Sequence, residues 1–231
     1  YIMGSAFLKA ADGDDDTGRL NKNNQLLMVV NGEAGTGKSR VIRCFCWFAH
    51  QHTRAQELVV TSYQGRPVAN LRNPGVKGVT SSMLAEINPK GDKPRRGQDA
   101  ENRLQRMYQF KRFIIDDEAF LTSAPHFHAL NQQSRRGLAD RAAPIGAPFG
   151  GMSVILAGDV LQHKPVNSPP LYFGADTSIF QACSRLAAEG NAHKINSTTA
   201  GADLYRQFNE VGLPLAVRPS CIHGDRLPFP I

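Results

Sequence analysis

A short glycine-rich stretch of this chain has the residue types and spacing of a phosphate-binding loop. Gly32 and Gly37 frame four residues and are followed directly by Lys38 and Ser39, which fits the pattern G-x-x-x-x-G-K-[ST] at every fixed position. The glycines let the backbone curl so that N–H groups point at phosphate oxygens. The lysine would reach the β- and γ-phosphates, and the serine hydroxyl would bind Mg²⁺. The predicted nucleotide-binding residues are Gly32, Glu33, Ala34, Gly35, Thr36, Gly37, Lys38 and Ser39.

Three consecutive acidic residues form the second candidate site. Asp116, Asp117 and Glu118 follow the apolar run Phe113–Ile115. A phosphate-binding loop needs an acidic residue at the end of a neighbouring strand, to hold Mg²⁺ and polarise the attacking water. We assign the magnesium to Asp116, together with Ser39. The alternative is that the three acids only begin a helix, where the helix dipole favours negative charge.

The elements that must position these residues alternate between strands and helices. An apolar run before the glycine-rich loop and a helical pattern after it argue against a chance turn. Alternation of this kind predicts βαβ units, and therefore an α/β fold with a mainly parallel sheet and helices on both faces. The predicted strands are Leu26–Asn31, Leu58–Ser62, Phe113–Asp116 and Val154–Ala157, and the main predicted helices are Arg40–Thr53, Ala100–Lys111, Ala124–Arg136, Ser178–Glu189 and Ala202–Asn209.

Composition narrows the class of protein. The chain has 231 residues, of which 41% are hydrophobic and 20% charged, which excludes collagen, coiled coil and full disorder. No apolar run approaches the roughly 20 residues of a membrane span, so we expect no membrane partner. The formal net charge of +7 favours a polyanionic partner such as nucleic acid, although a basic domain without such a partner fits the charge equally well.

A longer segment around the fourth predicted strand points to a family. Pro148–Gly151 and Met152–Val166 resemble the third motif of Pif-type 5′-to-3′ DNA helicases, which reads approximately F-G-G-x-x-x-x-x-x-G-D-x-x-Q-L-P-P-V. The helicase part of Helitron-like rolling-circle transposons is similar. The resemblance covers most of residues 26–218, including the phosphate-binding loop and the acidic strand end.

The resemblance implies a RecA-like P-loop NTPase domain, the first of two in these superfamily-one motors. Its substrate would be ATP with Mg²⁺, and its partners would be single-stranded or forked DNA and the second RecA-like domain. It further implies 5′-to-3′ translocation, roles in DNA repair, recombination or telomere maintenance, and a nuclear location. We expect a polar lead-in at residues 1–22, the motor domain at 23–218 and an irregular tail at 219–231, in a piece of a longer polypeptide.

Further site residues follow from the resemblance alone. Gln162 matches the glutamine that senses the γ-phosphate, and Arg218 falls where the family has an arginine that contacts this phosphate from the domain interface. Lys38, Asp116, Asp117 and Glu118 complete the implied catalytic set. The segment that contacts single-stranded DNA in the family implies a further set of residues here: Tyr63, Gly65, Asn70 and Thr80.

One departure from the family bears on function. The family has Asp-Glu where this chain has Asp116-Asp117, and Glu118 could replace the missing glutamate only if the strand end shifts by one residue. The alternative function is therefore a degenerate transposon-type remnant that binds nucleotide or DNA without efficient hydrolysis. A small-molecule P-loop kinase is a further alternative, but it leaves Gly158–Gln162 unexplained.

Two weaker clusters remain. The basic stretch Lys90–Arg112 could follow a phosphate backbone or be a solvated face. On the helix after the loop, Cys44, Cys46, His50 and His52 suggest zinc, but only Cys46 and His50 are spaced to share a helical face. Structural zinc needs four converging ligands, so we expect helix packing instead.

Overall fold

A parallel sheet forms the centre of the computed structural model, which describes residues 2–12, 25–63, 76–87, 97–139, 146–161, 165, 168–172, 189–190 and 192–212. Its strand order is β3-β2-β4-β5-β1-β6, and every neighbouring pair runs parallel. In the described part of the chain the strands are β1 (Leu27–Asn31), β2 (Leu58–Ser62), β3 (Lys77–Thr80), β4 (Phe113–Asp117), β5 (Ser153–Gly158) and β6 (Asn209–Gly212).

Helices cover the sheet because its central strands are apolar on both sides. They are α1 (Ile2–Asp12), α2 (Lys38–Gln51), α3 (Ser81–Leu84), α4 (Gln98–Tyr108), α5 (Ala124–Gly137) and α6 (Ala192–Tyr205). Short 3-10 turns lie at Ala55–Glu57, Ala119–Leu121 and Pro148–Gly151. No helix in the described ranges is long and apolar enough to cross a membrane.

The two faces of the sheet pack against different helices. On one side, which we call the α2 face, Phe113 and Ile115 of β4 belong to a buried cluster with Phe7 of α1 and Phe45 of α2. On the other side, the α5 face, Ile114 belongs to a buried cluster that includes side chains of α4 and α5. Successive residues of a strand point to opposite faces, so the position of a residue along β4 decides which core it joins.

The prediction of an α/β fold with a mainly parallel sheet is confirmed. The four predicted strands are present with ends that move by one residue at most, and the predicted helix at Ala202–Asn209 is the end of α6 followed by the start of β6. The predicted helix at Ser178–Glu189 lies almost entirely outside the described residues.

The polar lead-in predicted for residues 1–22 is wrong for its first half. Residues 2–12 form α1, and Phe7 is fully buried, with its ring centroid 5.5 Å from that of Phe45 and 5.1 Å from that of Phe113. The guanidinium of Arg54 lies 4.8 Å from the centre of the same ring. The prediction followed the acidic residues after position 10, whereas the apolar residues before them form the contact with the core.

Candidate active site

The glycine-rich loop has the backbone that its sequence predicts. Gly32 follows β1 directly and its N–H donates to the carbonyl of Gly158 at 3.1 Å. Gly35 and Gly37 have φ angles of +83° and +92°, a region that glycine enters without the steric penalty other residues meet. Gly37 is the N-cap of α2, and Lys38 is the first helical residue. The loop therefore ends on the N-terminus of a helix, where backbone N–H groups and the helix dipole favour an anion.

The Lys38 ammonium lies across this loop. Its Nζ donates to the carbonyl oxygens of Gly32 at 2.5 Å and Glu33 at 2.8 Å. The Thr36 hydroxyl donates to the same Glu33 carbonyl at 2.8 Å, which tightens the turn. Ser39 is exposed in the first turn of α2. Because the lysine side chain is flexible, its ammonium can exchange the two backbone carbonyls for phosphate oxygens.

Asp116 lies on the α5 face, away from the loop. In the register of the sheet it pairs with Leu156 of β5, whose side chain belongs to the α5-face core. Asp116 is fully buried, and neither carboxylate oxygen has a hydrogen-bond partner in the described part of the chain. Burial, with a contribution from the charge of Asp117, raises the pKa of Asp116 to about 8.

Asp117 and Glu118 lie on the side of the loop. Asp117 pairs in register with Ala157, which belongs to the α2-face core. Burial raises the pKa of Asp117, while the backbone N–H of Glu118 and the Lys38 ammonium oppose the rise. Burial and the Asp117 charge raise the pKa of Glu118, and Lys38 again opposes. The charge of Lys38 therefore lowers the pKa of Asp117 and of Glu118. The pKa of Asp116 is set by burial and by the charge of Asp117 instead.

The assignment of the magnesium ligand to Asp116 is thus contradicted by the geometry. A shift of one residue along a strand moves a side chain to the opposite face, and β4 ends at Asp117 rather than at Asp116. The pair of acids beside the loop is Asp117-Glu118, which has the Asp-Glu order of the family. Glu118 follows the strand with φ +57° and ψ +36°, a left-handed conformation that is uncommon outside glycine.

The loop after β5 is tied to the start of the phosphate-binding loop. The side-chain oxygen of Asn31 accepts from the N–H of Val160 at 3.3 Å, and buried Asp159 accepts from the N–H of Leu161 at 2.9 Å. The sequence prediction missed Asn31, although a polar residue that ends an apolar strand just before the loop could have indicated it. Gln162 and Arg218 lie outside the described residues.

Two of the four candidate DNA-contacting residues, Tyr63 and Thr80, lie in the described part of the chain. Tyr63 follows β2 with 47% of its surface exposed, and its ring meets that of His126 edge-on at 5.7 Å. The Thr80 hydroxyl accepts from the N–H of Met83 at 3.2 Å, so it caps α3. Gly65 and Asn70 lie outside the described residues.

Comparisons with known proteins point to one family. A family model described as "PIF1-like helicase" matches residues 15–186. A curated relative from Trypanosoma brucei brucei, ATP-dependent DNA helicase PIF1, is 28% identical over 145 residues, which are 63% of this chain and 14% of the relative.

A solved structure of a related protein shows the same fold. The Pif1 helicase of Candida albicans matches with a TM-score of 0.53 and 17% identity, over 92% of this chain and 39% of that one. A Bacteroides Pif1 helicase in complex with ADP-AlF3 and ssDNA matches with a TM-score of 0.47 and 18% identity, over 71% and 33%. The chain therefore spans less than half of each of these proteins.

Proposed function

Because the chain belongs to the PIF1-like helicase family, we propose that it is a motor domain of an ATP-dependent DNA helicase, which couples ATP hydrolysis to movement along single-stranded DNA. The observation that carries this proposal is a complete phosphate-binding loop that leads into α2 at the carboxyl edge of the sheet, on the face to which Asp117 of β4 belongs. Ligands of open α/β sheets bind at this edge. The curated relative is named an ATP-dependent DNA helicase, which supports the proposal.

The loop would bind the phosphates of ATP. Its backbone N–H groups and the N-terminus of α2 offer hydrogen bonds and positive potential. Lys38 would leave the carbonyls of Gly32 and Glu33 for the phosphate oxygens. The carbonyl oxygens are neutral whereas the phosphate oxygens carry negative charge, so the exchange adds a Coulomb attraction that favours the bound state.

Ser39 and Asp117 fit a magnesium ion. Both offer oxygen atoms, which Mg²⁺ prefers as ligands, and both lie at the loop end of the sheet. Asp116 does not fit, because it is buried on the other face. When bound, the ion would neutralise charge on the phosphate oxygens.

Glu118 is the residue we propose as general base. It is half-buried beside Asp117 and within the electrostatic reach of Lys38, so it can accept a proton from a water placed at the γ-phosphate. Its left-handed backbone costs free energy, and such strain is concentrated at functional sites. We propose that this backbone turns the carboxylate from the sheet towards the nucleotide.

The finer assignments rest on the family resemblance. We propose that Gln162 senses the γ-phosphate, that Arg218 contacts it from the interface with a second RecA-like domain, and that Tyr63 and Thr80 contact DNA. Translocation from 5′ to 3′, action on forked DNA, a role in repair, recombination or telomere maintenance, and a nuclear location are parts of the same proposal.

The alternative of a remnant without efficient hydrolysis loses its main support. That alternative rests on an aspartate at the position of the catalytic glutamate, and the register of β4, in which Asp117 faces the α2 side, supports Asp117-Glu118 as the Asp-Glu pair instead. The motor function is therefore favoured over the remnant.

An ATP hydrolysis assay with and without single-stranded DNA tests the proposal. We expect the chain to hydrolyse ATP with Mg²⁺, to do so faster with DNA, and to do so slowly overall, since it spans less than half of its relatives. Lys38→Ala removes a charged hydrogen-bond donor, so ATP affinity should fall roughly 10- to 100-fold. Equal ATP affinity of the two proteins in calorimetry would refute the assignment of the loop.

A further inference from the structure

Two of the basic regions in the described part of the chain differ in how far the fold pairs their charges. On α4, Arg103 lies 3.4 Å from Glu86. Just after α4, Arg112 lies 3.3 Å from Glu57, and the Lys111 ammonium donates to two backbone carbonyl oxygens. Much of the described part of the basic stretch Lys90–Arg112 is thus engaged within the protein.

Helix α2 differs from that region. Its sequence contains lysine, arginine and histidine but no aspartate or glutamate. Arg40, Arg43 and Trp47 are all exposed, and their spacing of three and four residues puts them on one side of the helix. Among the described residues neither arginine is paired with a carboxylate, and the hydrogen bond of Arg43 goes to the carbonyl of Ser39 at 3.3 Å. We call these three residues the α2 stripe.

The rest of α2 explains why the stripe faces outward. Ile42, Phe45, Cys46 and Ala49 are the buried residues of this helix and pack on the sheet. This also confirms the packing prediction for Cys46. The stripe lies on the opposite side, and it spans about 10 Å along the helix axis from Arg40 to Trp47.

The stripe combines two chemical features. The guanidinium groups offer planar, charged donors that suit phosphate oxygens. Trp47, the one tryptophan of the chain, has 46% of its surface exposed next to them in the helix. A cationic track with an exposed aromatic ring is the combination by which proteins bind single-stranded nucleic acid, because phosphates meet the cations and a base stacks on the ring.

The position of α2 connects the stripe to the proposed site. The helix starts at the carboxyl edge of the sheet, where Lys38 lies, and returns the chain towards the start of β2. The stripe therefore begins near the carboxyl edge and runs along the outside of the α2 face. Tyr63, at the end of β2, belongs to the carboxyl edge itself.

We propose that the α2 stripe is a second binding surface for single-stranded DNA, in which Arg40 and Arg43 contact phosphates and a base stacks on Trp47. The inference rests on the proposed function, because it gives further DNA to the same motor domain. It commits to nucleic acid rather than to an acidic peptide, since the exposed ring of Trp47 offers a surface on which a base can stack.

Trp47 serves as its own reporter. We would titrate the 231-residue chain with a thymidine oligonucleotide of about 20 nucleotides at about 50 and 200 mM salt, and follow tryptophan fluorescence together with the anisotropy of labelled DNA. We expect quenching of the tryptophan and an affinity that falls with salt. The double variant Arg40→Ala/Arg43→Ala should bind several-fold more weakly, with a salt slope lower by about 1.4, since each phosphate contact on a single strand contributes about 0.7.

A matched control removes the same charge elsewhere. Arg103→Ala/Arg106→Ala takes two exposed arginines from α4, and we expect it to keep nearly the full salt slope and the quenching. Equal losses in the two double variants would refute the stripe, because net charge would then explain both. Unchanged tryptophan fluorescence, no DNA binding, or equally tight binding of polyglutamate would also refute it.

The failure of the stripe can be told apart from the failure of the motor function. If the chain binds DNA and Tyr63→Ala abolishes this binding, while Arg40→Ala/Arg43→Ala changes neither affinity nor slope, the strand-edge contact of the proposed function stands and the stripe is wrong. If the slope falls as expected in the α2 variant, the stripe stands whatever the rate of ATP hydrolysis.

Discussion

Asp116 and Asp117 are the same residue type at adjacent positions of one strand, and the structure gives them opposite surroundings. Asp117 faces the side of the phosphate-binding loop, where the Lys38 ammonium counteracts the rise of its pKa. Asp116 faces the α5 core, where neither of its oxygens has a partner in the described part of the chain. Only the position of Asp117 lets a carboxylate serve a metal or a phosphate site beside the loop. The face of the sheet to which the side chain points, rather than the residue type, separates a candidate functional acid from a buried one.

The largest effect that would test this difference concerns catalysis. Glu118→Gln should lower ATP turnover by about 10²- to 10⁴-fold, the usual contribution of a general base, and should leave ATP affinity nearly unchanged because Lys38 and the loop remain. Asp116→Asn is the matched control, since it makes the same change from carboxylate to amide two residues away. We expect its turnover to stay within a few-fold of the natural protein in steady-state assays with single-stranded DNA.

The opposite effects on turnover would support the strand end predicted from the sequence, at Asp116. Loss of turnover in Asp116→Asn, with activity kept in Glu118→Gln, would mean that β4 ends one residue earlier in solution. In that case Asp116 would be the magnesium ligand and the α5 face would not be a closed interior at this point.

The chemistry of Asp116 should also appear in the pH dependence of stability. Its pKa is about 8 in the folded protein and near 3.9 in an unfolded chain, so between these values the folded state holds a proton that the unfolded state has lost. This contribution to the free energy of unfolding is fully present below about pH 4, falls with a slope of up to about 1.4 kcal/mol per pH unit, and is lost as the pH rises through 8.

Urea unfolding of the natural protein and Asp116→Asn at several pH values between 5 and 8 measures this slope. The raised pKa values of Asp117 and Glu118 act in the same direction but are present in both proteins, so the difference isolates Asp116. We expect the stability advantage of the natural protein to shrink, or to reverse, as the pH rises from 6 to 8. Parallel curves would show that Asp116 is solvated or paired in solution.

Much of the fold followed from the sequence because each of its central strands contains a continuous apolar run. These runs lie in β1, β2, β4 and β5, and the order of strands and helices along the chain implied the parallel sheet. The two strands that were missed, β3 and β6, are the edges of the sheet. Edge strands are short and partly polar, as these are, because one side of their backbone has no strand beside it. Their sequences therefore lack the pattern that a buried strand shows.

The site was predictable in part. The residues from Gly32 to Ser39 are close in sequence, and their spacing fixes their geometry, as the φ angles of Gly35 and Gly37 illustrate. The faces of the acidic residues could not be predicted in the same way. With three acids in a row, the sequence does not show at which of them the strand ends. Only the pairing of Asp116 with Leu156 and of Asp117 with Ala157 resolved the faces.

The smallest effect compares the packing of the two faces themselves. On the α5 side, a Cβ added at Gly201 of α6 would overlap the carbonyl group of Ala124, the first residue of α5. On the α2 side, a Cβ at Gly4 of α1 would lie 3.5 Å from the ring of Phe48, an ordinary contact.

Both glycines are within helices, where alanine is favoured by about 1 kcal/mol. Gly201→Ala should nevertheless destabilise the protein by about 1–3 kcal/mol, as overpacking does, because backbone cannot move aside as a side chain can. Gly4→Ala should be neutral or stabilising by up to about 1 kcal/mol. Urea unfolding of both variants at one pH makes the comparison, and a Gly201→Ala protein as stable as Gly4→Ala would mean that α6 does not lie this close to α5.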